Sequence, residues 1–195
     1  MNCFNKLPEG FEKAFYVDLQ KDKKLALKIN IAALVFGIIL AVLGHLFVPI
    51  WALFDMSDGL WAYAFRFLAL MGSLIIYIIL HELTHGVVMK LYGAPKIKYG
   101  FTGLYAFAGS DCYFTKIPYI VIALAPVVIW GVVLAALCPF LSGGWFWVAY
   151  FMQIQNLSGA AGDIYITCKF LKLPKDILVK DTGVSMTVYK KELQS

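Results

Sequence analysis

The chain has 195 residues, of which 61% are apolar and 15% charged, and its mean hydropathy is +0.76. This composition excludes an ordinary water-soluble globular domain and predicts an integral membrane protein in contact with lipid. The formal net charge is +5, but no motif or basic cluster supports nucleic acid as a partner, so we exclude that class. We expect a single membrane domain over residues 1–195, with any chemistry in or against the bilayer.

The N-terminal segment and the cysteines bear on targeting and redox state. Residues 1–28 are polar and lysine-rich and show no cleavage-site pattern, so we expect no removable signal peptide. The four cysteines are scattered without a C-x-x-C pair. They are therefore expected to be free thiols or buried small residues, and no disulfide is implied.

Apolar runs in the sequence predict the membrane-spanning helices. The 26 residues of Ile29–Phe54 and the 46 residues of Ile117–Gly162 contain no Asp, Glu, Lys or Arg. A spanning helix needs about 20 apolar residues, so the first run is one span and the second holds two, divided near Pro139–Gly144. A further apolar run is interrupted by Arg66 and by a cluster around His81. The sequence thus predicts an all-α membrane protein with four transmembrane helices, over residues 29–53, 61–91, 117–139 and 145–171.

Two segments outside these spans are predicted to form short strands. In the loop Tyr92–Lys116, glycines separate Ile97-Lys98-Tyr99 from Leu104-Tyr105-Ala106-Phe107, a pattern typical of a β-hairpin. In the C-terminal tail, residues 177–179 and 186–189 flank Asp181-Thr182-Gly183 and predict a second hairpin.

The distribution of lysine predicts the orientation in the membrane. All sixteen lysines precede the first span, lie between the second and third, or follow the fourth, whereas the loop after the first span holds Asp55 and Asp58. Cytoplasmic loops collect Lys and Arg. We therefore expect a multi-pass protein of the cell membrane with both termini in the cytoplasm.

The second span carries His81-Glu82-Leu83-Thr84-His85, an H-E-x-x-H pattern. On a helix, residues four apart lie on one face, so both imidazoles can reach one Zn²⁺ while Glu82 acts as a general base. Nine residues separate His81 from Lys90, which is ~13 Å of helix and places the cluster within the inner part of the bilayer. Ionisable side chains at such depth are costly and are usually functional.

A catalytic zinc site needs a third protein ligand. Asp163 is the one acidic residue in the third and fourth spans, and it lies six residues before Lys169. That distance is ~9 Å of helix, which gives Asp163 a depth close to that of the histidine pair. Asp111 and Cys112, in the cytoplasmic loop, remain open as alternatives.

Two more polar residues, Asn156 and His45, lie within the predicted spans. Asn156 lies seven residues before Asp163 on the same helix face, from which it can donate to substrate or to a developing oxyanion. An interhelical hydrogen bond is the alternative for its amide. His45 lies 17 residues beyond Lys28, ~25 Å along the first span, and is expected at the opposite interface rather than among the ligands.

These motifs together resemble the membrane-embedded zinc metalloproteases of the site-2 protease type, and the chain is similar to the putative zincin peptidase family of small bacterial membrane proteins. The resemblance implies His81, His85 and Asp163 as metal ligands and Glu82 as the catalytic carboxylate. Site-2 proteases usually have prolines before their aspartate and a glycine after it, whereas here Gly162 and Ile164 flank it. The similarity also extends to Leu7-Pro8-Glu9-Gly10-Phe11, Tyr113-Phe114-Thr115-Lys116, Ala125-Pro126, Gly159 to Asp163, and Asp181-Thr182-Gly183.

The leading hypothesis is a zinc-dependent intramembrane metalloendopeptidase that hydrolyses membrane-associated or transmembrane peptides near the cytoplasmic face. A strand over residues 97–101 would hold the substrate extended by edge pairing. The alternatives are a non-catalytic metal- or haem-binding membrane protein and a scaffold that binds no metal. The carboxylate between the two histidines favours the enzyme, because a carrier does not need it.

Overall fold

The computed structural model describes residues 2–18, 20–103 and 105–192. The chain forms two compact units, one made of Met1–Ile29, His81–Ala125 and Asp163–Ser195, and the other of Asn30–Leu80 and Pro126–Gly162. Each of the three long helices contributes residues to both units. Leu104, which begins one of the predicted strands, lies outside the described residues.

Helices account for the apolar runs. They are α1 (Lys23–Phe47), α2 (Leu60–Leu91), α3 (Lys116–Leu137), α4 (Gly143–Gly159) and α5 (Ala161–Leu171). Within the described residues, three helical segments are long and apolar enough to cross a membrane: Lys23–Phe47, Leu60–Leu91 and Lys116–Phe140. The chain is thus a membrane protein whose candidate spans are close to the first three that the sequence predicts.

The continuous helix predicted over 145–171 is wrong. The chain forms α4 and α5 instead, and Ala160 between them has φ −80° and ψ 15°, outside the helical region. Gly159 and Gly162 flank this break, and glycine is about 1 kcal/mol less favourable than alanine inside a helix. Because α4 has 17 residues and a span needs about 20, a fourth transmembrane helix is not confirmed in the part of the chain that the structure describes.

The chain is not all-α, because it also contains two antiparallel sheets. One has five strands in the order β1, β5, β6, β7, β2, and the other pairs β3 with β4. The two predicted hairpins are confirmed as β3–β4 and β6–β7, whereas the pairing of β1 and β2 into the larger sheet was not predicted. The strands are β1 (Cys3–Phe4), β2 (Phe11–Val17), β3 (Lys98–Phe101), β4 (Ala106–Gly109), β5 (Tyr113–Thr115), β6 (Ile177–Asp181) and β7 (Met186–Lys191).

The larger sheet forms the core of the first unit. Phe114, Val179 and Val188 on neighbouring strands are completely buried together with Phe170 of α5. A disulfide between Cys3 and Cys112, with Cα atoms 6.0 Å apart, joins β1 to the residue before β5. This disulfide corrects the expectation of free thiols, which rested on cysteine spacing alone and could not include a pairing across more than one hundred residues.

The charge that interrupts the second span has a structural role in the other unit. Arg66 is buried, and its Nη1 donates to the carbonyl oxygens of Ala52, Leu53 and Asp55 at 3.0, 3.3 and 3.3 Å. These carbonyls lie at the end of a short 3-10 helix, Ile50–Phe54, where backbone acceptors lack helical partners. Arg66 therefore stabilises the turn between the first two spans.

Gly109→Ala is expected to destabilise the first unit by about 2–3 kcal/mol. A Cβ on Gly109 would lie 2.2 Å from the carbonyl carbon of Thr182. The neighbouring Ser110 N–H donates to the backbone oxygen of Asp181 at 2.7 Å, so neither backbone moves aside freely. Unfolding in detergent measures the change. Gly72→Ala is the control, since nothing lies within 4 Å of its Cβ, and equal stabilities of the two variants would contradict the expectation.

Candidate metal centre

The two histidines of the motif meet at one face of α2. The Nε2 atoms of His81 and His85 are 3.1 Å apart, and the rings pack edge to face with centroids separated by 4.8 Å. This arrangement follows from the spacing of four residues, which places the side chains one turn apart on the same face. Both nitrogens thus point at one small volume.

The carboxylate of Asp163 reaches the same volume from α5. Its Oδ2 lies 3.4 Å from Nε2 of His81 and 3.7 Å from Nε2 of His85. The break at Ala160 makes Asp163 the third residue of a new helix, where a negative charge is favourable against the helix dipole. The three ligand atoms all lie within 4.8 Å of one another.

The donor set and its dimensions fit zinc. Two imidazole nitrogens and one carboxylate oxygen are ligands that zinc prefers, and three protein ligands leave a fourth position open. Donors about 2.0–2.1 Å from an ion in tetrahedral geometry lie about 3.3 Å from one another. The separations of 3.1, 3.4 and 3.7 Å are scattered around that value.

A hydrogen bond on the other ring nitrogen orients His85. Its Nδ1 lies 2.9 Å from the backbone oxygen of Ile122 in α3. Since a carbonyl oxygen only accepts hydrogen bonds, Nδ1 carries the proton. The Nε2 atom therefore keeps a lone pair that can bind a metal ion. The side chain is 10% exposed, so water does not replace this partner readily.

Glu82 lies beside the β3–β4 hairpin. The backbone of Ala108 in β4 and both histidines are close enough to the Glu82 carboxylate for electrostatic interaction. Tyr99 of β3 lies directly over Gly86, where a Cβ would be 1.9 Å from the tyrosine hydroxyl oxygen. Glycine at that position therefore permits the hairpin to pack against the motif helix.

The two alternative third ligands have other partners. Asp111 has a side chain 61% exposed and forms ion pairs with Lys98 at 2.6 Å and Lys180 at 3.6 Å. The hydrogen bond from Lys98 holds the pKa of Asp111 below its usual value. Cys112 is bonded to Cys3. In the described part of the chain, the structure groups Asp163, and neither alternative, with the histidines.

The other two polar residues considered from the sequence form hydrogen bonds within the second unit. Asn156 is fully buried, accepts from the Tyr77 hydroxyl at 2.5 Å and donates to the Val127 carbonyl at 3.1 Å. These bonds are the interhelical alternative raised for Asn156, whose role toward substrate stays a prediction. His45, in the last turn of α1, accepts from the backbone N–H of Ile50 at 3.0 Å.

Asp181 and Tyr119 form a partly buried pair that the sequence did not single out as functional. The Tyr119 hydroxyl and the Gly183 N–H both donate to the Asp181 carboxylate. Burial raises the pKa of Asp181 above its usual value. The two hydrogen bonds and the charge of His85 lower this pKa, and the charge of Asp163 raises it. In the sequence, Asp181 was noticed only as part of the Asp-Thr-Gly turn, which indicated a hairpin and not a functional carboxylate.

Comparison with known proteins gives one match. A family model described as "Putative zincin peptidase" matches residues 74–178, which is more than half of the 195 residues. The matched region begins within α2 and contains the H-E-x-x-H motif and Asp163. No match was found among curated proteins or among solved structures. The family implies zinc, and the three donors described above fit that metal.

Proposed function

Because the chain belongs to the putative zincin peptidase family, we propose that it is a zinc-dependent metalloendopeptidase acting on membrane-associated or transmembrane peptides near the cytoplasmic face. One observation carries the proposal most directly. The ligand atoms of His81, His85 and Asp163 converge within 4.8 Å, with the carboxylate of Glu82 beside them. A carrier or a scaffold has no need of that fourth group.

The proposed roles follow from the chemistry of each side chain. His81, His85 and Asp163 hold the metal. When bound there, zinc supplies Lewis-acid chemistry, which polarises a scissile carbonyl group and makes water acidic enough to lose a proton near neutral pH. Glu82 accepts that proton and delivers it to the leaving amine.

Position along α2 supports an intramembrane site. The motif lies within Leu60–Leu91, one of the helical segments apolar and long enough to cross the bilayer. Helical peptide bonds are shielded by their own hydrogen bonds, so a transmembrane substrate has to be unwound before it is cleaved. A site at this depth therefore needs a surface that holds an extended chain.

The β3–β4 hairpin is the surface that we propose for this purpose. The sequence indicated residues 97–101, which contain all of β3, but the strand with a residue close to the Glu82 carboxylate is β4. In the register of the pair, Ala108 opposes Tyr99, and Ala108 is the residue of β4 whose backbone lies close to the Glu82 carboxylate. A substrate strand added to β4 at this residue would lie beside the proposed base.

The larger sheet supports the predicted topology. β2 precedes α1, β5 lies between α2 and α3, and β6 follows α5, yet all belong to one sheet. Strands of one sheet lie on one side of a membrane, so the chain crosses an even number of times between them. We propose that α1 crosses the membrane from the cytoplasmic to the external side and that α2 crosses it back. In the same way, α3 crosses to the external side, and α4 and α5 together cross back to the cytoplasm.

Reporter fusions test this topology. We expect a fusion after Ser57 to report the external side and one after Ser195 the cytoplasm, because the lysines favour the cytoplasm. The disulfide of Cys3 and Cys112 is typical of oxidising compartments and therefore weighs against this orientation. Equal locations of both fusions would contradict the crossings, and an external Ser195 would reverse the orientation.

Asp163→Asn is expected to weaken zinc binding by about 10- to 100-fold and to reduce hydrolysis. The neutral amide oxygen is a poorer ligand than a carboxylate, while the size of the side chain is unchanged. Chelator competition on the purified protein measures the affinity. Asp176→Asn, an exposed site just beyond α5, is the control. Undiminished zinc binding in Asp163→Asn would return Asp111 or Cys112 as the third ligand.

The non-catalytic alternative predicts a different pair of results. A metal or haem carrier binds metal but cleaves no peptide, and a scaffold binds neither. Metal analysis of the purified wild type, together with cleavage of a membrane peptide blocked by chelator and restored by zinc, separates the three. We expect about one zinc per chain and chelator-sensitive cleavage, because three protein ligands hold one ion.

A further inference from the structure

The hydrogen bond that orients His85 is accepted by a backbone carbonyl in an unusual position. In a regular helix the carbonyl of residue i accepts from the N–H of residue i+4. For Ile122 that residue is Pro126, which lies inside α3 and has no N–H. Ile122 is 1% exposed, so water does not satisfy its oxygen readily, and a buried carbonyl without a donor is costly.

We propose that Pro126 is a positioning residue that keeps the Ile122 carbonyl available to His85 and thereby fixes the ring in its metal-binding tautomer. Pro126 removes the competing donor. Its ring also crowds the carbonyl four residues earlier, which turns such an oxygen away from the helix axis. The Nδ1 of His85 lies 2.9 Å from that oxygen, while its Nε2 faces His81 and Asp163.

A simple packing role does not account for all these observations. Pro126 is itself fully buried, and any apolar residue of similar size would fill the same space. What proline alone supplies is the missing amide hydrogen four residues after the one carbonyl that His85 contacts. The inference rests on the proposed zinc site, because it concerns the orientation of one of its ligands.

The experiment compares zinc affinities of the purified full-length protein. Pro126→Ala, Pro126→Ser and Pro126→Val all restore the N–H but differ in volume. We expect each to weaken zinc binding by a similar factor, about 10- to 100-fold, as is usual when the outer partner of a ligand histidine is lost. Pro118→Ala is the matched control, because residue 118 lies in the first turn of α3, where an N–H has no helical acceptor. Its zinc affinity should equal that of the wild type.

A second measurement follows the proton on Nδ1 of His85 directly. The chain has three histidines, so ¹⁵N-histidine spectra of the protein can be assigned with two variants, His45→Asn and His81→Asn, each of which removes the signals of one ring. In the wild type we expect a slowly exchanging proton on Nδ1 of His85, and in Pro126→Ala fast exchange of that proton. A fall in affinity that follows side-chain volume, or unchanged affinity with an unchanged Nδ1 proton, overturns the proposal. A wild type that binds no zinc overturns the proposed function and this inference with it.

Discussion

Glu82→Gln is expected to keep zinc bound while lowering peptide hydrolysis by about 10²- to 10⁴-fold. The amide has nearly the size and shape of the carboxylate, so the local fold is retained. What it cannot do at neutral pH is accept a proton from water. Zinc content and the cleavage rate of a membrane peptide, measured on the same preparation, test both halves of the expectation.

Glu12→Gln is the matched control for this change. Glu12 lies on β2, its side chain is 49% exposed, and it pairs with Lys190 at 3.0 Å. Surface ion pairs contribute little to stability, so we expect wild-type zinc content and wild-type hydrolysis. Hydrolysis at the wild-type rate in Glu82→Gln would refute Glu82 as the base, and zinc binding without any cleavage in the wild type would favour the carrier.

The membrane-spanning helices were predictable because bilayer thickness imposes a length. Long apolar runs located α1, α2 and α3, although α1 begins at Lys23 and ends at Phe47 rather than at residue 53. Pro49 and the 3-10 helix after it end the helix before the apolar composition does. The same composition concealed the break at Ala160, because hydropathy does not register backbone dihedral angles.

The five-stranded sheet was harder to predict, since it is assembled from three separate parts of the chain. β2 pairs with β7, so Phe11 opposes Lys191 across almost the whole sequence. The β2 sequence carries two charges in seven residues and gives no strong alternation of polar and apolar positions. Local hairpins are readable from turn residues, but pairing between distant strands is decided by the shared core around Phe114 and Val188.

In the site, the predictable part was what spacing determines. A separation of four residues places His81 beside His85, and counting residues of helix from the lysines gave Asp163 a matching depth. The supporting contacts depend on tertiary structure. The closeness of Ala108 to Glu82 requires the hairpin to fold back on α2, and the hydrogen bond from His85 to Ile122 requires α3 to lie alongside.

His85→Ala is the second large effect that we expect, and it concerns the metal itself. Removing one ligand of three should lower zinc affinity by about 100- to 1,000-fold, if the 10–16 kcal/mol typical of a four-ligand zinc site is shared equally among its ligands. The substitution also leaves the Ile122 carbonyl without its donor. Zinc per chain after dialysis against a weak chelator is expected to fall from about one to near zero.

His45→Ala provides the matched control, because it removes the same side chain from a residue that accepts a hydrogen bond from Ile50 and has no place in the donor group. Zinc at the wild-type level in both variants would remove His85 from the site. Zinc lost in both would point to unfolding rather than to lost ligation. Loss in His85→Ala alone, alongside retention in Glu82→Gln, assigns ligation and proton transfer to different residues one helical turn apart, as a peptidase requires and a carrier does not.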